Sequence, residues 1–477
     1  MTRHATNPWI VLVLICFAQF MVVLDATVVN VALPSIQKDL HMTEANLQWI
    51  VNAYTLVFGG FLLLGGRAGD LLGRKRLFLG GLVVFTAASL LDGLSGSQGM
   101  LIGARSLQGL GAAFISPAAL AIISTTFKEG SDRAKALGIW AAIAIGGSAV
   151  GLVLGGALTQ TFSWPWIFFI NVPVGVAVLG LSLRLIPESK DEAMHRSFDV
   201  PGAVTVTGGL MTLVYAIVQA QQKGWGSAQT IGTFVVAVAL LGAFTAIELR
   251  AKAPLVRLSI FRVRSLATAN VVMLLVMSGM FAMFFFNSLY IQRVLGYGPL
   301  KAGLAFLPFT GGILVSAGLA SNFAPKIGVR IVATVGMILS SAGLALLTRI
   351  AVHGTYVADV LPSLLLVSLG MGAVFVPLTL VATTGLEDED QGLASGLFNT
   401  SQQVGGALGL AILSTVAASR TTHLGGAGSA ALVGGFHYAF AGSVVFVLLG
   451  LVAFTAMLRA HHVRGIEAAA APAGAGI

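Results

Sequence analysis

Long apolar runs dominate the chain, and short charged or Gly/Pro-rich breaks separate them. A helix that crosses a bilayer needs about 20 apolar residues, and fourteen runs meet this pattern. The predicted helices cover residues 9–33, 45–65, 77–95, 99–126, 134–158, 163–186, 201–220, 228–249, 265–292, 301–323, 330–350, 360–383, 393–417 and 436–459. The pattern predicts an all-α polytopic membrane protein with 14 transmembrane helices, because a helix satisfies its own backbone hydrogen bonds inside lipid.

The basic residues indicate how these helices are oriented. With the N-terminus inside, 20 of the 27 Lys and Arg residues lie in cytoplasmic segments. Six lie in the opposite loops, and Arg105 falls inside a predicted helix. Cytoplasmic loops retain an excess of Lys and Arg. The split therefore supports an even number of helices, with the N- and C-termini both cytoplasmic.

Two loops resemble one another faintly and indicate an internal repeat. The segment GGRAGDLLGRKR follows the second predicted helix, and SNFAPKIGVR follows the tenth. Aligning Gly73 with Gly328 places Lys75 on Arg330, and degenerate repeats of this kind suit a transporter. The predicted organisation is an N-terminal six-helix bundle (1–186), a linker with two extra transmembrane helices (187–264), a C-terminal six-helix bundle (265–460) and a disordered cytoplasmic tail (461–477).

Composition excludes several classes of protein. The chain is 56% hydrophobic and 9% charged, whereas a soluble domain carries about a quarter charged residues. Soluble enzymes and nucleic-acid-binding proteins are therefore excluded, and the net charge of +9 is explained by the basic cytoplasmic loops. The single cysteine, Cys16, excludes a disulfide framework. The sequence contains no GxxxxGK[ST] phosphate loop and no HExxH motif, so we expect no ATP hydrolysis, no metal and no cofactor.

Asp25 is a single carboxylate inside the first apolar run. An acid at the bilayer centre costs roughly 2.5–3.5 kcal/mol on insertion scales, and chains that keep one generally use it as a proton relay, an ion site or a substrate counter-charge. At about 1.5 Å per residue, Asp25 lies about 24 Å above the inner surface, and Arg105 about 9 Å below the outer one. In a core about 30 Å thick the two share one depth. They either form a functional site or only lock two helices together.

The segment after the second predicted helix carries a compact charged pattern. Gly66, Asp70, Gly73, Arg74 and Lys75 are predicted to form a tight turn, in which the glycines allow the turn and close helix approach. Asp70 can cap a helix N-terminus or pair with a cation, which would hold two helices together at the cytoplasmic face. The alternative is an ordinary cytoplasmic loop kept for its positive charge.

The ninth predicted helix carries a stripe of adaptable apolar side chains that ends in an amide. Met277, Met280, Phe284 and Asn287 recur at helical spacing and therefore share one face. Met and aromatic side chains suit the binding of varied ligands. This face is expected to line a substrate cavity, or alternatively to face lipid or another helix.

Polar residues in the thirteenth predicted helix are also candidates for the cavity. Asn399 and Gln402 lie at membrane depth, where polar groups tend to face the interior. Hydrogen bonding between helices is an equal alternative. Outside the first helix the sequence indicates no clear acid at depth, since Glu248 lies near the inner end of its helix. Neutral or monocationic substrates are therefore favoured over dications.

Several motifs resemble the major facilitator superfamily. GGRAGDLLGRKRLF looks like the family's loop signature, LIGARSLQGLGAAF like its second motif, and GSAVGLVLGG like its antiporter motif. LDATVVNVALP and GLASGLFNTSQQVGGALG resemble the fourteen-helix drug:proton antiporter branch (EmrB/QacA type). These motifs occur in order along nearly the whole chain. In one departure, Leu152 stands where the antiporter motif usually has Pro.

The resemblance implies a major facilitator fold and roles for particular residues. Asp25 and Arg105 would couple transport to protons, and Gln108 would line the substrate cavity with Asp25. The loop signature would form a cytoplasmic gate, and the glycines of the antiporter motif would form a hinge face. The hinge glycines are Gly147, Gly151, Gly155 and Gly156.

These features predict a proton-coupled antiporter that exports amphipathic small molecules, such as drugs and antibiotics, across the bacterial inner membrane. The proton gradient would supply the energy. The expected partners are the substrate, protons and lipid, with no nucleic acid, and the chain is expected to be a monomer. Two alternatives stay open: a dedicated exporter of one endogenous metabolite or natural product, and a non-transporting membrane scaffold or sensor.

Overall fold

The computed structural model describes residues 7–127, 131–188, 199–251, 254–383, 388–426 and 428–458. Within these ranges every regular element is a helix. The α-helices are α1 (Pro8–Asp39), α2 (Glu44–Leu47), α3 (Trp49–Leu72), α4 (Arg74–Gly93), α5 (Gln98–Thr126), α6 (Ser131–Thr161), α7 (Trp166–Phe169), α8 (Asn171–Leu185), α9 (Val200–Lys223), α10 (Ala228–Arg250), α11 (Arg264–Leu289), α12 (Pro299–Ala305), α13 (Leu307–Ile327), α14 (Val329–Leu347), α15 (Leu361–Thr383), α16 (Asp388–His423) and α17 (Ser429–Met457). A 3₁₀-helix covers Leu258–Arg262, and π-helices cover Tyr290–Val294 and Tyr356–Val360. The predicted disordered tail at 461–477 lies outside the described residues.

The helices account for the apolar runs of the sequence. In the described residues, 13 helices are long and apolar enough to cross a membrane, and α6, with 31 residues, is a further helix of that length. Each of the fourteen predicted segments falls on a helix or on consecutive helices. The prediction of an all-α membrane fold is confirmed, and the chain is a multi-pass membrane protein.

The first helix is longer than its apolar run. Asn7 Oδ1 accepts a hydrogen bond from Trp9 N at 3.0 Å, and Pro8 occupies the first turn, where its missing N–H has no helical partner to lose. The helix continues through Pro34 to Asp39, beyond the predicted end at 33. Neighbouring helices re-satisfy backbone groups freed by proline within a membrane. Asp25 therefore lies in the interior of one continuous helix.

Contacts divide the chain into two compact units. Unit 1 comprises Met1–Leu213, Gly232–Leu255 and Gly298–Leu304. Unit 2 comprises Val214–Ile231, Val256–Tyr297 and Ala305–Ile477. The predicted bundle boundaries at 186 and 264 rest on helix order rather than on contacts, and they stay a prediction.

Unit 1 is built by helices that approach one another closely. In it, α5 packs along α3 and α4, and α1 packs along α6. Phe78, Phe85 and Ile115 belong to its buried apolar cluster. A Cβ added to Gly111 of α5 would lie 2.6 Å from the backbone nitrogen of Phe85 on α4. A side chain larger than hydrogen at that position would separate the two helices.

Unit 2 is also built by helices that pack closely at glycine residues. Its α11 packs along α16 and α17, and α15 packs along α13 and α14. Gly405 and Gly409 are four residues apart on α16, and a Cβ on either would overlap backbone atoms of α11, at Leu274 and Ser278 respectively. Ser278 Oγ also donates a hydrogen bond to the carbonyl oxygen of Gly405 at 2.9 Å. Small residues four apart allow this close packing in membranes.

Two single-residue turns share one backbone conformation. Gly73, between α3 and α4, has φ 107° and ψ 128°. Gly328, between α13 and α14, has φ 94° and ψ 139°. Both φ values lie where glycine is favoured, because a Cβ would be strained there. The match supports the internal repeat that aligns Gly73 with Gly328.

The predicted five-residue turn is wrong in its extent. Because α3 continues to Leu72 and α4 begins at Arg74, Gly66 and Asp70 are helical and Gly73 alone makes the turn. One residue with positive φ is enough to end a helix and redirect the chain. The side chain of Asp70 lies outside the described part of the structure, so its predicted capping or pairing role stays a prediction.

Replacing Gly409 by Ala is expected to destabilise unit 2, because the new Cβ would overlap the Cα of Ser278. Overpacking of this kind costs about 1–3 kcal/mol. The matched control is Gly392→Ala on the same helix, where no atom lies within 4 Å of the added Cβ. Thermal unfolding of the purified proteins in detergent measures the difference. Equal melting temperatures for the two variants would contradict the packing described for α11 and α16.

Candidate functional site

Asp25 of α1 is the centre of a buried polar cluster in unit 1. Its side chain is fully buried, and three side chains donate hydrogen bonds to it. Arg105 Nη1 donates to Oδ2 at 2.5 Å, while Gln108 Nε2 and Asn171 Nδ2 donate to Oδ1 at 2.7 and 3.1 Å. A carboxylate accepts hydrogen bonds and, when ionised, donates none. This set of donors therefore fits the ionised form of Asp25.

Arg105 of α5 is also almost completely buried, with 1% of its side chain exposed. Besides Asp25, its Nη1 donates to Gln108 Oε1, and its Nε donates to the Ile50 carbonyl oxygen of α3 at 3.1 Å. The guanidinium carbon lies 4.4 Å from the ring centroid of Tyr54. Hydrogen bonds and the π-face of an aromatic ring both stabilise a cation that has lost its water. The cluster thus compensates both charges.

The geometry follows from helix periodicity and close packing. Arg105 and Gln108 are three residues apart on α5, so they share a face, and this face meets α1 at Asp25. Asn171 is the first residue of α8 and reaches the same carboxylate oxygen. The expectation that Asp25 and Arg105 lie at one depth is confirmed by their ion pair. Their role in transport stays a prediction.

Sequence reasoning missed four members of this region. Tyr54 and Asn171 contact the charge pair directly, and Ser89 of α4 accepts a hydrogen bond from Gln108 at 2.7 Å. Asp92, also on α4, is fully buried. Asp92 lies at the end of its helix, so it adds a buried acid to the region, and the expectation that no other acid lies deep in a helix stays a prediction. Polar residues inside apolar runs were the available signal, but burial of Asp92 near the end of α4 comes from packing between helices, which the sequence does not display.

The turn at Gly73 is held against the end of α8. Glu188 Oε1 accepts a hydrogen bond from Lys75 N at 3.2 Å, at the first turn of α4. Lys75 Nζ donates to the Leu183 carbonyl oxygen at 2.8 Å, and Arg76 Nε lies 3.6 Å from Glu188. A Cβ on Gly73 would come 2.5 Å from Glu188 Oε1. An acid at a helix N-terminus is stabilising, and the positive φ of the neighbouring residue 73 favours glycine there.

The predicted hinge glycines of α6 lie at close helix contacts. Added Cβ atoms on Gly151 and Gly155 would lie 3.1 Å from the Leu24 carbonyl oxygen and 3.0 Å from that of Val28, both on α1. Gly147 also faces α1, with a Cβ 3.3 Å from the ring of Phe20, and a Cβ on Gly156 would lie 2.5 Å from the Pro299 carbonyl oxygen. α6 is continuous across position 152. A hinge role for these glycines stays a prediction.

The predicted cavity residues are divided between the two units, and their role in a cavity stays a prediction. Asp25 and Gln108 are sealed inside unit 1. In unit 2, Met280 and Asn287 are buried, whereas Met277 and Phe284 are partly exposed and Asn399 is exposed. The stripe on α11 therefore does not face lipid as a whole.

The polar candidates of unit 2 differ in their partners. Neither side-chain polar atom of Asn287 has a hydrogen-bond partner, while Asn399 Nδ2 donates to the carbonyl oxygen of Ser395, on its own helix, at 3.0 Å. Gln402 is buried. Next to it, Ser401 Oγ donates to Asn270 Oδ1 at 2.7 Å, which is a bond between helices. Asn287 thus has unused hydrogen-bonding capacity. Among the described residues, no group of three His, Cys, Asp or Glu side chains could hold a metal ion.

Several similar proteins are named as resistance or export proteins. The puromycin resistance protein pur8 of Streptomyces alboniger is 40% identical over 456 residues, covering 94% of this chain and 90% of the relative. The cephamycin export protein CmcT of Amycolatopsis lactamdurans is 39% identical, with 94% and 92% covered. The tetracenomycin C resistance and export protein of Streptomyces glaucescens is 36% identical, with 87% and 77% covered.

Solved structures with low sequence identity share the fold. An inward-facing bacterial homologue of the human lysosomal transporter Spinster matches with a TM-score of 0.67 at 15% identity, covering 94% of this chain and 96% of that one. The peptide transporter POT matches with a TM-score of 0.68 at 14% identity, with 94% of each chain covered. The model of the Major Facilitator Superfamily matches residues 15–410. Assignment to the fourteen-helix drug:proton antiporter branch stays a prediction. The resemblance to the superfamily is confirmed, and the chain belongs to the Major Facilitator Superfamily.

Proposed function

We propose that this chain is an antiporter that exports amphipathic small molecules from a bacterial cell in exchange for protons, with both termini in the cytoplasm. The observation that carries the proposal is the fully buried Asp25, whose charge is matched by Arg105 within 2.5 Å. The relatives support the direction and the cargo, because their names describe antibiotic resistance and export.

Protonation of Asp25 would change the stability of this conformation. A neutral carboxylic acid keeps only part of its attraction for Arg105, so the buried guanidinium loses its compensating charge. Helices α1, α5 and α8, which meet at the pair, would then favour another arrangement. A transporter couples two ligands when each one favours a different conformation. Proton binding at Asp25 and substrate binding elsewhere would be the two ligands.

The energy of one proton is sufficient for useful export. A proton crossing about 100 mV supplies roughly 2.3 kcal/mol, and each 1.4 kcal/mol corresponds to about a tenfold concentration ratio. One proton could therefore support an outward gradient of about 40- to 50-fold before a pH difference adds to it.

On the substrate side, unit 2 offers an adaptable surface. Phe284 is half-buried, and its ring centroid lies 5.6 Å from that of Phe306 and 4.8 Å from that of Phe309. Met277 lies about two turns from Phe284 on α11 and Asn287 about one turn, and neither side-chain polar atom of Asn287 has a hydrogen-bond partner. Aromatic and Met side chains with one free amide suit a ligand that is mostly apolar and carries a polar group.

A second candidate is a dedicated exporter of a single natural product. Three relatives are each named for one antibiotic: puromycin, cephamycin or tetracenomycin C. A panel of such antibiotics tested for export separates the two candidates, because a dedicated exporter moves one of them and a multidrug exporter moves several. A non-transporting scaffold would move none.

Replacing Asp25 by Asn is expected to abolish coupling, since an amide cannot take up or release a proton in its place. Proteoliposomes with a trapped pH indicator measure proton movement when puromycin or another transported antibiotic is added. We expect the wild type to respond and Asp25→Asn to match empty liposomes. The control is Asp39→Asn on the same helix, an exposed carboxylate bonded to Trp164 Nε1 at 2.8 Å, which should couple as the wild type does. Normal coupling by Asp25→Asn would refute the proposed role of Asp25.

A double substitution separates coupling from a purely structural ion pair. Arg105→Gln leaves Asp25 buried without its counter-charge, and breaking a buried pair costs about 3–5 kcal/mol. Adding Asp25→Asn removes the remaining charge, so thermal stability should largely return. Substrate-driven proton movement should stay absent in the double variant. If the stable double variant couples normally, the pair only locks α1 to α5.

A further inference from the structure

Asp92 is a second buried acid close to the Asp25–Arg105 ion pair. Arg105 is paired with Asp25 and makes no hydrogen bond to Asp92. Asp92 is the last residue but one of α4, and none of its side chain is exposed. Neither of its two carboxyl oxygens has a hydrogen-bond partner. An ionised carboxylate in such a place would carry a large desolvation cost, whereas a neutral acid carries a far smaller one. The geometry therefore fits a protonated Asp92.

The end of a helix adds to this preference. The last carbonyl groups of α4 point beyond Gly93 and give this end a partial negative charge. A carboxylate at this position is repelled, unlike one in the interior of a helix. Asp25, in the interior of α1, instead receives three hydrogen bonds. The surroundings of the two acids therefore favour an ionised Asp25 and a neutral Asp92 in this conformation.

Side chains that are hydrogen-bonded to Asp25 reach the turn of α4 that precedes Asp92, and Asp92 itself is hydrogen-bonded to none of them. Ser89 lies three residues before Asp92 on α4 and therefore on the same face. Ser89 Oγ accepts a hydrogen bond from Gln108 Nε2, which also donates to Asp25 Oδ1, both at 2.7 Å. Asp92 interacts electrostatically with Arg105 and with Asp25, although it is hydrogen-bonded to neither.

Within the described part of the structure, the charged groups that act on Asp92 are Arg105 of α5 and Asp25 of α1. Tyr54 of α3 lies against Arg105, 4.4 Å from its guanidinium carbon. Two carboxyl groups therefore face one guanidinium. With both acids ionised this group carries a net charge of −1, with both neutral it carries +1, and with one ionised it is neutral. A site that excludes water favours the neutral combination.

We propose that Asp92 is a second proton-binding residue of this site. When Asp25 is protonated, ionised Asp92 replaces it as the ion-pair partner of Arg105. The inference rests on the proposed proton coupling and names a further residue that serves it. A proton joins the carboxylate of Asp25, the neutral Asp92 releases its own proton, and the guanidinium turns from one carboxylate to the other. One proton enters and one leaves, so the site stays neutral throughout and Arg105 keeps its charge.

The exchange makes protonation of Asp25 easier than it would be with a single acid. Without Asp92, every protonation of Asp25 leaves Arg105 buried and unpaired. An adjacent arginine shifts the titration of an acid by about one to three pH units towards lower pH. Asp92→Asn is therefore expected to move the pH profile of substrate-driven proton movement towards acid by about one pH unit or more.

The transport test compares Asp92→Asn with Ser95→Ala in proteoliposomes. Ser95 is buried near Asp92 and its hydroxyl donates only to the Leu91 carbonyl oxygen, so its removal tests the same packing without a titrating group. We expect an acid-shifted profile for Asp92→Asn and the wild-type profile for Ser95→Ala. An unshifted Asp92→Asn profile overturns the inference while leaving the proposed antiport intact. A wild type that moves no protons with any antibiotic removes the proposed function instead.

An infrared test decides the inference without transport. Purified protein in detergent at neutral pH should show the carbonyl stretch of a protonated carboxyl group, with a shift in heavy water. We expect Asp92→Asn to lose this band. Asp25→Asn should lose it as well, because Asp92 then ionises and pairs with Arg105. Retention of every such band in Asp92→Asn shows that Asp92 is ionised, and it overturns the inference even if antiport is demonstrated.

Discussion

The buried pair of Asp25 and Arg105 constrains everything around it. Each charge alone would be expensive inside a bilayer, and each is tolerated because the other lies 2.5 Å away with further donors, acceptors and an aromatic ring around it. Side chains from α1, α5 and α8 must meet at one point to satisfy these groups. Neutralising either charge weakens the ion pair and the hydrogen bonds that hold these helices together, so a single proton can alter the packing of several helices.

Close helix contact is what makes the pair possible. Glycines on α5, α6 and α16 place backbones against one another at distances that a methyl group would prevent. In unit 1, Gly151 and Gly155 bring α6 against α1 on either side of the level of Asp25. Short contacts of this kind exclude water and lipid from the charges, which strengthens their interaction. They also leave few alternative arrangements, because packed interfaces are bistable rather than continuously deformable.

The sequence predicted the parts of this structure that depend on helix regularity. Apolar runs predicted the helices, and a constant rise per residue placed Asp25 and Arg105 at one depth, where the structure joins them. Asp92 and Asn171 were missed because their burial depends on which helices become neighbours. The turn at Gly73 was predicted to be longer than it is, because a single glycine with positive φ is enough to reverse the chain between α3 and α4. The substrate cavity depends on side chains of distant segments, so the sequence predicts candidates for it rather than its shape.

The central claim is that one proton passes through Asp25 for each substrate molecule that is exported. The most direct test counts, in proteoliposomes, the protons that cross the membrane for each substrate molecule that is transported in the opposite direction. We predict about one proton per substrate molecule for the wild type, and no substrate-driven proton movement for Asp25→Asn. Substrate export by the wild type without proton movement, or equal proton movement by the variant, would contradict the claim.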